Sequence, residues 1–523
     1  MPVPILPWRG SERDIPLNNR RQSRTLTKRR ASTVSIVQLK VGVSLVWDLL
    51  IMIASLLDRK TLVSFTASSR YFRSIGARLL LQDVNITGQH ARSLLAFLLA
   101  NPWEHPGIIR RIHLHNIGWE WQVPPPTTRW AALLRTLHLP QRWSRDLVKD
   151  AGALRRVLTL ANNIEDLQIP GDSLLEAQPG LTKAISSLKS LRTLDIRHAG
   201  SRIFVLLRTI QAPLVKLRVS FDGWFAWQET VFCYSTRNFC DTLEVMYVGG
   251  ALGFQGTTVK SVNMRKLHFT TTTVREIKPF VEAYPNLRDM AMIRMAGHED
   301  VTQHEIEEHR TKNKAVFREK GWENLDVLVG DAEEIYMLAI SCPIERLTLD
   351  VGPPFEVNLR RLDDVLSDIK PSILHVRLVE YYHVDGMISR LFSPFECLTH
   401  LTLTVAPLSV WRLLDLVVDE LPRLLVRLRG LVEFAFRVTD AYLTQRPAFY
   451  NDLSGERFAR YLAETTPTLR RVLHNLPWRA RVKCPLLAWT VSARTGGRVS
   501  LVREPDVSAG YSGWLEEGLY GPM

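Results

Sequence analysis

The sequence predicts an α/β repeat protein: a small three-helix domain, then an irregular array with a curved parallel sheet inside and helices outside. Three observations predict it. A short alternating pattern, Leu-x-x-Leu-x-Ile/Leu/Val, recurs along most of the chain. Helical stretches separate the copies. The 523 residues, 46% of them apolar, exceed one ordinary core and suit an elongated array of stacked units.

At the amino-terminal end, residues 1–40 carry nine Lys/Arg against Glu12 and Asp14, a net of +7 out of +14 for the whole chain. This tail has few large apolar groups and is expected to be disordered and basic. Lys28-Arg29-Arg30 reads as a nuclear address, and Arg20-Arg21-Gln22-Ser23 and Arg29-Arg30-Ala31-Ser32 as sites for a basophilic kinase. The bland reading is a solvated tail with no specific reader. Charge over the remaining residues is mild, which points away from nucleic acid. The amino terminus lacks a secretory n-region and h-region. The best apolar run, Val41 to Leu57, is broken by Asp48, so no membrane span is expected. Five cysteines with no C-x-x-C pair exclude a disulfide framework or zinc ribbon as the organising principle.

Residues 44–57 read as a helix capped by Ser44. Ser44, Asp48, Ser55 and Arg59 fall on one narrow stripe, and nearly everything else is apolar. Asp58 is placed to cap a second helix, Arg59 to Ala67, and Ser68 or Ser69 a third, Arg70 to Leu81. Three helices this short cannot hide that much apolar surface alone. The remainder faces the following domain or another protein.

The stretch Leu45-Val46-Trp47-Asp48-Leu49-Leu50, with Ile53, Leu57, Thr61 and Leu62, ending in Ser68-Ser69-Arg70-Tyr71-Phe72, resembles the F-box. It is most similar to the form found in large fungal families. Val46 stands where the family has proline, and Asp48 where it has an acidic residue. The resemblance covers residues 44–84. It implies docking to the Skp-type adaptor of a cullin–RING ubiquitin ligase through Leu45, Val46, Leu49, Ile53, Leu57, Leu62, Phe65 and Phe72.

Beyond residue 82 the clearest strand copies begin at Leu191, Leu214, Met264, Leu287, Ile344, Leu398 and Leu431. Fainter ones lie at 111–114, 135–139, 165–169, 243–248 and 374–378. From Leu194, steps of 23, 50 and 23 residues lead to Leu217, Leu267 and Met290. This is the period of leucine-rich repeats. The asparagine ladder of regular repeats is expected to be missing. In proteins similar to this one, degenerate repeats of this kind typically come after the F-box.

Alternation sends Leu194 and Ile196, Leu217 and Val219, Leu267 and Phe269, and Leu401 and Leu403 into the array. Their neighbours line the other, concave face: Thr193, Asp195, Arg197, Lys216, Arg218, Lys266, His268, Arg346, Thr348, Asp350, His375, Arg377, His400 and Thr402. Basic residues are the majority there, which suits a client protein with an acidic patch. A solvated face with no single ligand is the bland alternative.

Two insertions interrupt the rhythm: an aromatic segment, 220–240, and a highly charged one, 296–322. A third loop, Trp119 to Pro126, is rich in Trp and Pro. Leu486 to Val502 reads as a hairpin that caps the array. The expected domains are thus 1–40, a tail; 41–82, the F-box-like helices; 83–480, the repeat array; and 481–523, the hairpin and tail.

The sequence carries no constellation of catalytic or metal-ligating residues. His304 and His309 are five apart, so a helix turns them away from a shared metal. Gly250, Gly253 and Gly256 make neither a phosphate loop nor a dinucleotide fingerprint. The pairs Asp363-Asp364 and Glu333-Glu334 are expected on helix surfaces. The expectation is a non-enzymatic chain with no cofactor and no metal, cytoplasmic or nuclear. Its partners would be the adaptor and a client protein, with no membrane. The alternative is a repeat scaffold unconnected with ubiquitin, its first helices acting only as a cap.

Overall fold

The computed structural model describes residues 47–87, 90–101, 105–115, 145–226, 232, 234–252, 259–271, 274–294, 301–352, 355–381, 397–407, 416–438, 455–475, 486–495 and 498–504. The basic tail, Leu45, Val46, the loop Trp119–Pro126 and the faint copy at 135–139 lie outside them. Two compact units divide between Leu56 and Leu57, inside the 41–82 segment.

In the first unit, helix α1 spans Trp47–Ser55. Leu50 and Ala54 are buried, while Met52, Ile53 and Leu56 are exposed.

The second unit opens with α2 (Arg59–Ser68) and α3 (Arg70–Gln82). Both caps fall where the sequence puts them. The Asp58 carboxylate accepts from the Lys60 and Thr61 backbone N–H groups, and the Ser69 hydroxyl accepts from Phe72 N–H. α2 and α3 touch at Gly76, where any Cβ would collide with the Thr66 side chain.

α3 then runs into a sheet whose strands are ordered as they are in the chain. They are β1 Asp83–Thr87, β2 Arg111–His115, β3 Asp166–Ile169, β4 Thr193–Ala199, β5 Lys216–Ala226, β6 Val245–Leu252, β7 Lys266–Thr271 and β8 Asp289–Arg294. Next come β9 Leu325–Asp331, β10 Ile344–Val351, β11 Ile373–Tyr381, β12 His400–Pro407, β13 Glu433–Val438, β14 Arg471–His474, β15 Leu487–Thr495 and β16 Arg498–Arg503. β1 to β14 pair in parallel; β15 and β16 pair antiparallel and end the sheet, where the sequence predicts a hairpin. The result is a long, mostly parallel, open sheet with helices in the connections. No helix among the described residues is long and apolar enough to cross a membrane.

The register turns the sequence pattern into columns. Val84, Ile112, Leu167, Leu194, Leu217, Met246 and Leu267 stand side by side. Met290, Leu328, Leu347, Leu374, Leu401, Phe434 and Val472 continue the same row. All are buried, and with the inner faces of the helices they form one continuous core. Each such side chain contributes roughly 1.5–3 kcal/mol through burial. Ala291 and Val329 point to the opposite face and form a separate small cluster, as do Ala435, Leu473 and Ala488.

Side chains stitch one repeat to the next. Asn263 donates to Asp241 O, Asn286 to Val262 O, and Asn238 to Arg208 O. Thr242, Ser261 and Thr399 do the same with hydroxyls. Asn263, Asn286 and Thr242 stand ahead of their strands, four residues before Leu267, Met290 and Met246, so these bonds are separate from the asparagine ladder of regular repeats, which follows the strand.

Both insertions join this framework. The aromatic segment begins as the end of β5, not as a loop, and Phe221, Phe232 and Phe239 are buried in the main core. Side chains 222–231 lie outside the described ones. The charged segment contains the helix Gln303–Lys320, opened by a Thr302–Glu305 capping box and buried along Ile306, Asn313 and Phe317.

The pair Glu333-Glu334 is not on a surface. Glu334 is buried and its Oε1 accepts from Val274 N–H at 2.6 Å, while Glu333 bonds Arg361 at 2.7 Å. Alternation of helix positions alone could not reveal this, because the groups they satisfy lie on other repeats.

Candidate client-binding sheet face

The strand residues that alternate with the core column form parallel rows on the opposite face. One row runs Asp83, Arg111, Asp166, Thr193, Lys216, Val245, Lys266 and Asp289 over β1 to β8. The next runs His113, Gln168, Asp195, Arg218, Tyr247, His268 and Ala291 over β2 to β8. Strand pleating alone puts them there, since neighbours along a strand face opposite ways. Thr193, Asp195, Arg197, Lys216, Arg218, Lys266 and His268 are thus brought onto one surface, Lys216 exposed and the others half-buried.

Further along, Arg346, Thr348 and Asp350 on β10 share the face with His375 and Arg377 on β11 and with His400, Thr402 and Thr404 on β12. The site residues are therefore brought together in two groups, over β4–β7 and over β10–β12. Between them stand Ala291, Val327 and Val329.

The charges differ in how they are matched. Over β1–β3, Arg111 lies 3.6 Å from Asp83, and His113 lies 3.9 Å from Asp166. Over β10–β11, Arg377 holds Asp350 with two hydrogen bonds. At the far end, Arg471 meets Glu433 at 3.1 Å and Glu504 at 2.6 Å. Those bonds pull the Glu504 carboxyl below its ordinary range and raise the Arg471 guanidinium.

Over β4–β7 the arrangement is looser. Arg197 is 3.9 Å from Asp195, and Lys266 is 3.4 Å from Asp289. Lys216 Nζ and Arg218 Cζ lie 5.6 and 5.8 Å from the centre of the Tyr247 ring, within cation–π range. His268 meets that ring edge-on at 4.9 Å.

Burial raises the carboxyls of Asp166 and Asp195 despite the neighbouring cations. Burial, helped by Lys266, pushes His268 down to about 3. His375, whose Nε2 shares a 2.9 Å hydrogen bond with Thr404 Oγ1, is likewise pushed down to about 3, by burial and then by Arg377 and Arg437. Both histidines are therefore neutral at neutral pH. Asp195 Oδ1 and His268 Nε2 are buried without a hydrogen-bond partner. Sequence reasoning placed these residues on one face but missed Tyr247, whose position opposite Arg218 was legible only once the weak copy at 243–248 is put in register.

The residues carried over from the F-box pattern fall differently. The side chains of Leu45, Val46 and Leu49 lie outside the described ones. Ile53 is 40% exposed, Leu57 is half-buried, and Leu62 is buried. Phe65 and Phe72 are half-buried and stack on each other at 4.3 Å. Leu62 thus faces the interior of its own unit.

No three His, Cys, Asp or Glu side chains among the described residues are grouped to hold a metal. No family model matches the chain, and no curated protein matches it.

Proposed function

We propose that the chain is a non-catalytic substrate-recognition adaptor of an SCF-type cullin–RING ubiquitin ligase, working in the cytoplasm or nucleus. The F-box-like helices dock to the Skp-type subunit, and the repeat array holds a client protein. The observation that carries the reading is an exposed apolar surface on α1 and on Leu56 just after it, in the segment with the F-box pattern. Met52 is 54% exposed, Ile53 40% and Leu56 81%. Apolar side chains of this size drive association when a partner covers them. The array then acts by proximity, raising the effective concentration of a client lysine near the charged conjugating enzyme. This chain supplies no acid, base or nucleophile.

The test is co-purification with a purified Skp-type adaptor. Wild type is expected to be captured, and a chain lacking residues 1–40 as well. Ile53→Asp should abolish capture, because the complex would bury an unpaired carboxylate. The variant must keep wild-type circular dichroism. Failure of the wild-type chain to bind would sink the reading.

One observation favours a second reading, a scaffold in which the first helices only cap the array. α3 runs directly into β1, and Leu81 belongs to the array core. A terminal unit that covers the end of a stack does this.

A further inference from the structure

The sheet face is unevenly charged. At β1–β2, β10–β11 and the last strands, carboxylates have an arginine beside them, as the pairs of Asp83, Asp350, Glu433 and Glu504 show. Among the described side chains over β4–β7, Arg197, Lys216, Arg218 and Lys266 share the face with Asp195, and with Asp166 and Asp289 on the flanking strands. Tyr247 stands in their midst with two of the cations against its ring. The patch is partly open: the Arg197 and Lys266 side chains are 31% and 29% exposed.

We infer that the sheet face over β4–β7 binds an extended acidic peptide segment of a partner protein, with Lys216, Arg218 and Lys266 facing its carboxylates and Tyr247 packing between them. The inference rests on the array being a client-holding surface, as both readings above have it. Charge complementarity selects the occupant: an excess of cations on a concentrated patch favours a run of carboxylates. Spacing fits as well. Lys216 and Lys266 stand two strands apart across Val245, about 9.6 Å at ordinary strand separation. Alternate side chains of an extended peptide repeat at about 7 Å, so carboxylates two to three residues apart reach both lysines.

The experiment is fluorescence anisotropy with the full chain and a short fluorescein-labelled peptide alternating glutamate and glycine. A glutamine–glycine peptide is the control. Wild type should bind the glutamate peptide, more weakly as salt rises, and ignore the glutamine peptide. Lys216→Glu with Lys266→Glu should weaken binding about tenfold. Lys183→Glu with Lys189→Glu changes the net charge equally at exposed positions away from this face and should stay within about twofold. If the first pair perturbs circular dichroism, Lys216→Gln with Lys266→Gln is the milder variant, expected to weaken binding about threefold.

No binding by wild type, or equal loss in both charge-reversed pairs, overturns the inference. So does tighter binding of a single-stranded DNA oligonucleotide that displaces the peptide, which would make the patch a nucleic-acid surface. Adaptor capture is measured on the same preparations. A chain that captures the adaptor but ignores the peptide overturns this inference and leaves the ligase reading standing; one that binds the peptide alone does the reverse.

Discussion

His474 occupies a core position where strand after strand puts an apolar side chain, next to Phe436 in the ladder. It is fully buried, its Nε2 lies 3.1 Å from Gly455 O, and its ring meets Phe458 edge-on at 5.4 Å. Burial lowers its pKa to about 4, against the Gly455 contact that works the other way. In the unfolded chain it titrates at the ordinary histidine value, about 6.5. Between these values the unfolded state binds the extra proton, so stability rises with pH there. The contribution is complete above about 6.5 and falls as pH drops towards about 4. His268 and His375 add to the same slope. Urea denaturation at a series of pH values should show a stability gradient across this window, and His474→Phe should remove up to one proton's worth of it. An unchanged slope in the variant would mean that His474 is protonated in the folded state.

Asn313 shows the same economy of buried polar groups: its amide accepts from Ile277 N–H and donates to Arg275 O and Met337 O. Neither residue was legible in the sequence, because a polar residue among apolar ones does not say which groups will satisfy it.

At the scale of elements, adjacent repeats are held by caps as well as by ladders. Gly171, at φ 117°, lets the chain pass against the carbonyls of Arg197 and His198, which a Cβ would strike. This close approach delivers Asp172 to the start of the next repeat's helix, Arg202–Thr209. There its carboxylate accepts from Arg202 N–H at 2.8 Å and Ile203 N–H at 3.1 Å. Burial raises the Asp172 carboxyl, and these bonds oppose that rise. Asp172→Ala is expected to cost about 1 kcal/mol, the usual loss for a helix cap. A midpoint in urea shifted by much less would show that water replaces the carboxylate.

The strand pattern itself was largely readable, and its misses are instructive. β1 fits the template as Leu81-Gln-Asp-Val84-Asn-Ile86, yet its first leucine is also the end of α3, so a helix reading absorbed it. β9 and β14 place Gly330 and His474 in the last core position, where an apolar residue is expected. Helix α2 and helix α3 were legible to within a residue because Asp58 and Ser69 declare their starts.

At the scale of the whole sheet, the problem is its end. A parallel array stopped at β14 would leave a bare strand edge, a template for pairing with other chains. The hairpin β15–β16 pairs with that strand and brings Trp489 into the core. Arg494 on β15 donates to Ala463 O at 2.6 Å, Thr466 O at 3.3 Å and Leu469 O at 2.7 Å. It thereby closes carbonyls at and just beyond the end of helix Gly455–Thr465, where a helix has no N–H groups left to offer them. A chain ending at residue 486 is expected to form aggregates by light scattering and to melt about 5 °C lower or more. A monodisperse truncated chain with unchanged melting would show that the hairpin is dispensable.

What the sequence by itself determined was periodic: the strand copies, their inward and outward residues, the caps of α2 and α3, and the basic majority on one sheet face. Such features depend on neighbours close in the chain, where pleat and helix geometry are enough. Tertiary structure decided the rest. It set the order and parallel register of the strands, the burial of Leu62 and Glu334, and the Asn and hydroxyl bonds between repeats. It also decided which charges on the face stand beside one another and which side chains gather around Tyr247. Those depend on groups brought together from distant positions, and residues such as Arg218 and Tyr247 meet only once stacking has fixed which strand lies beside which.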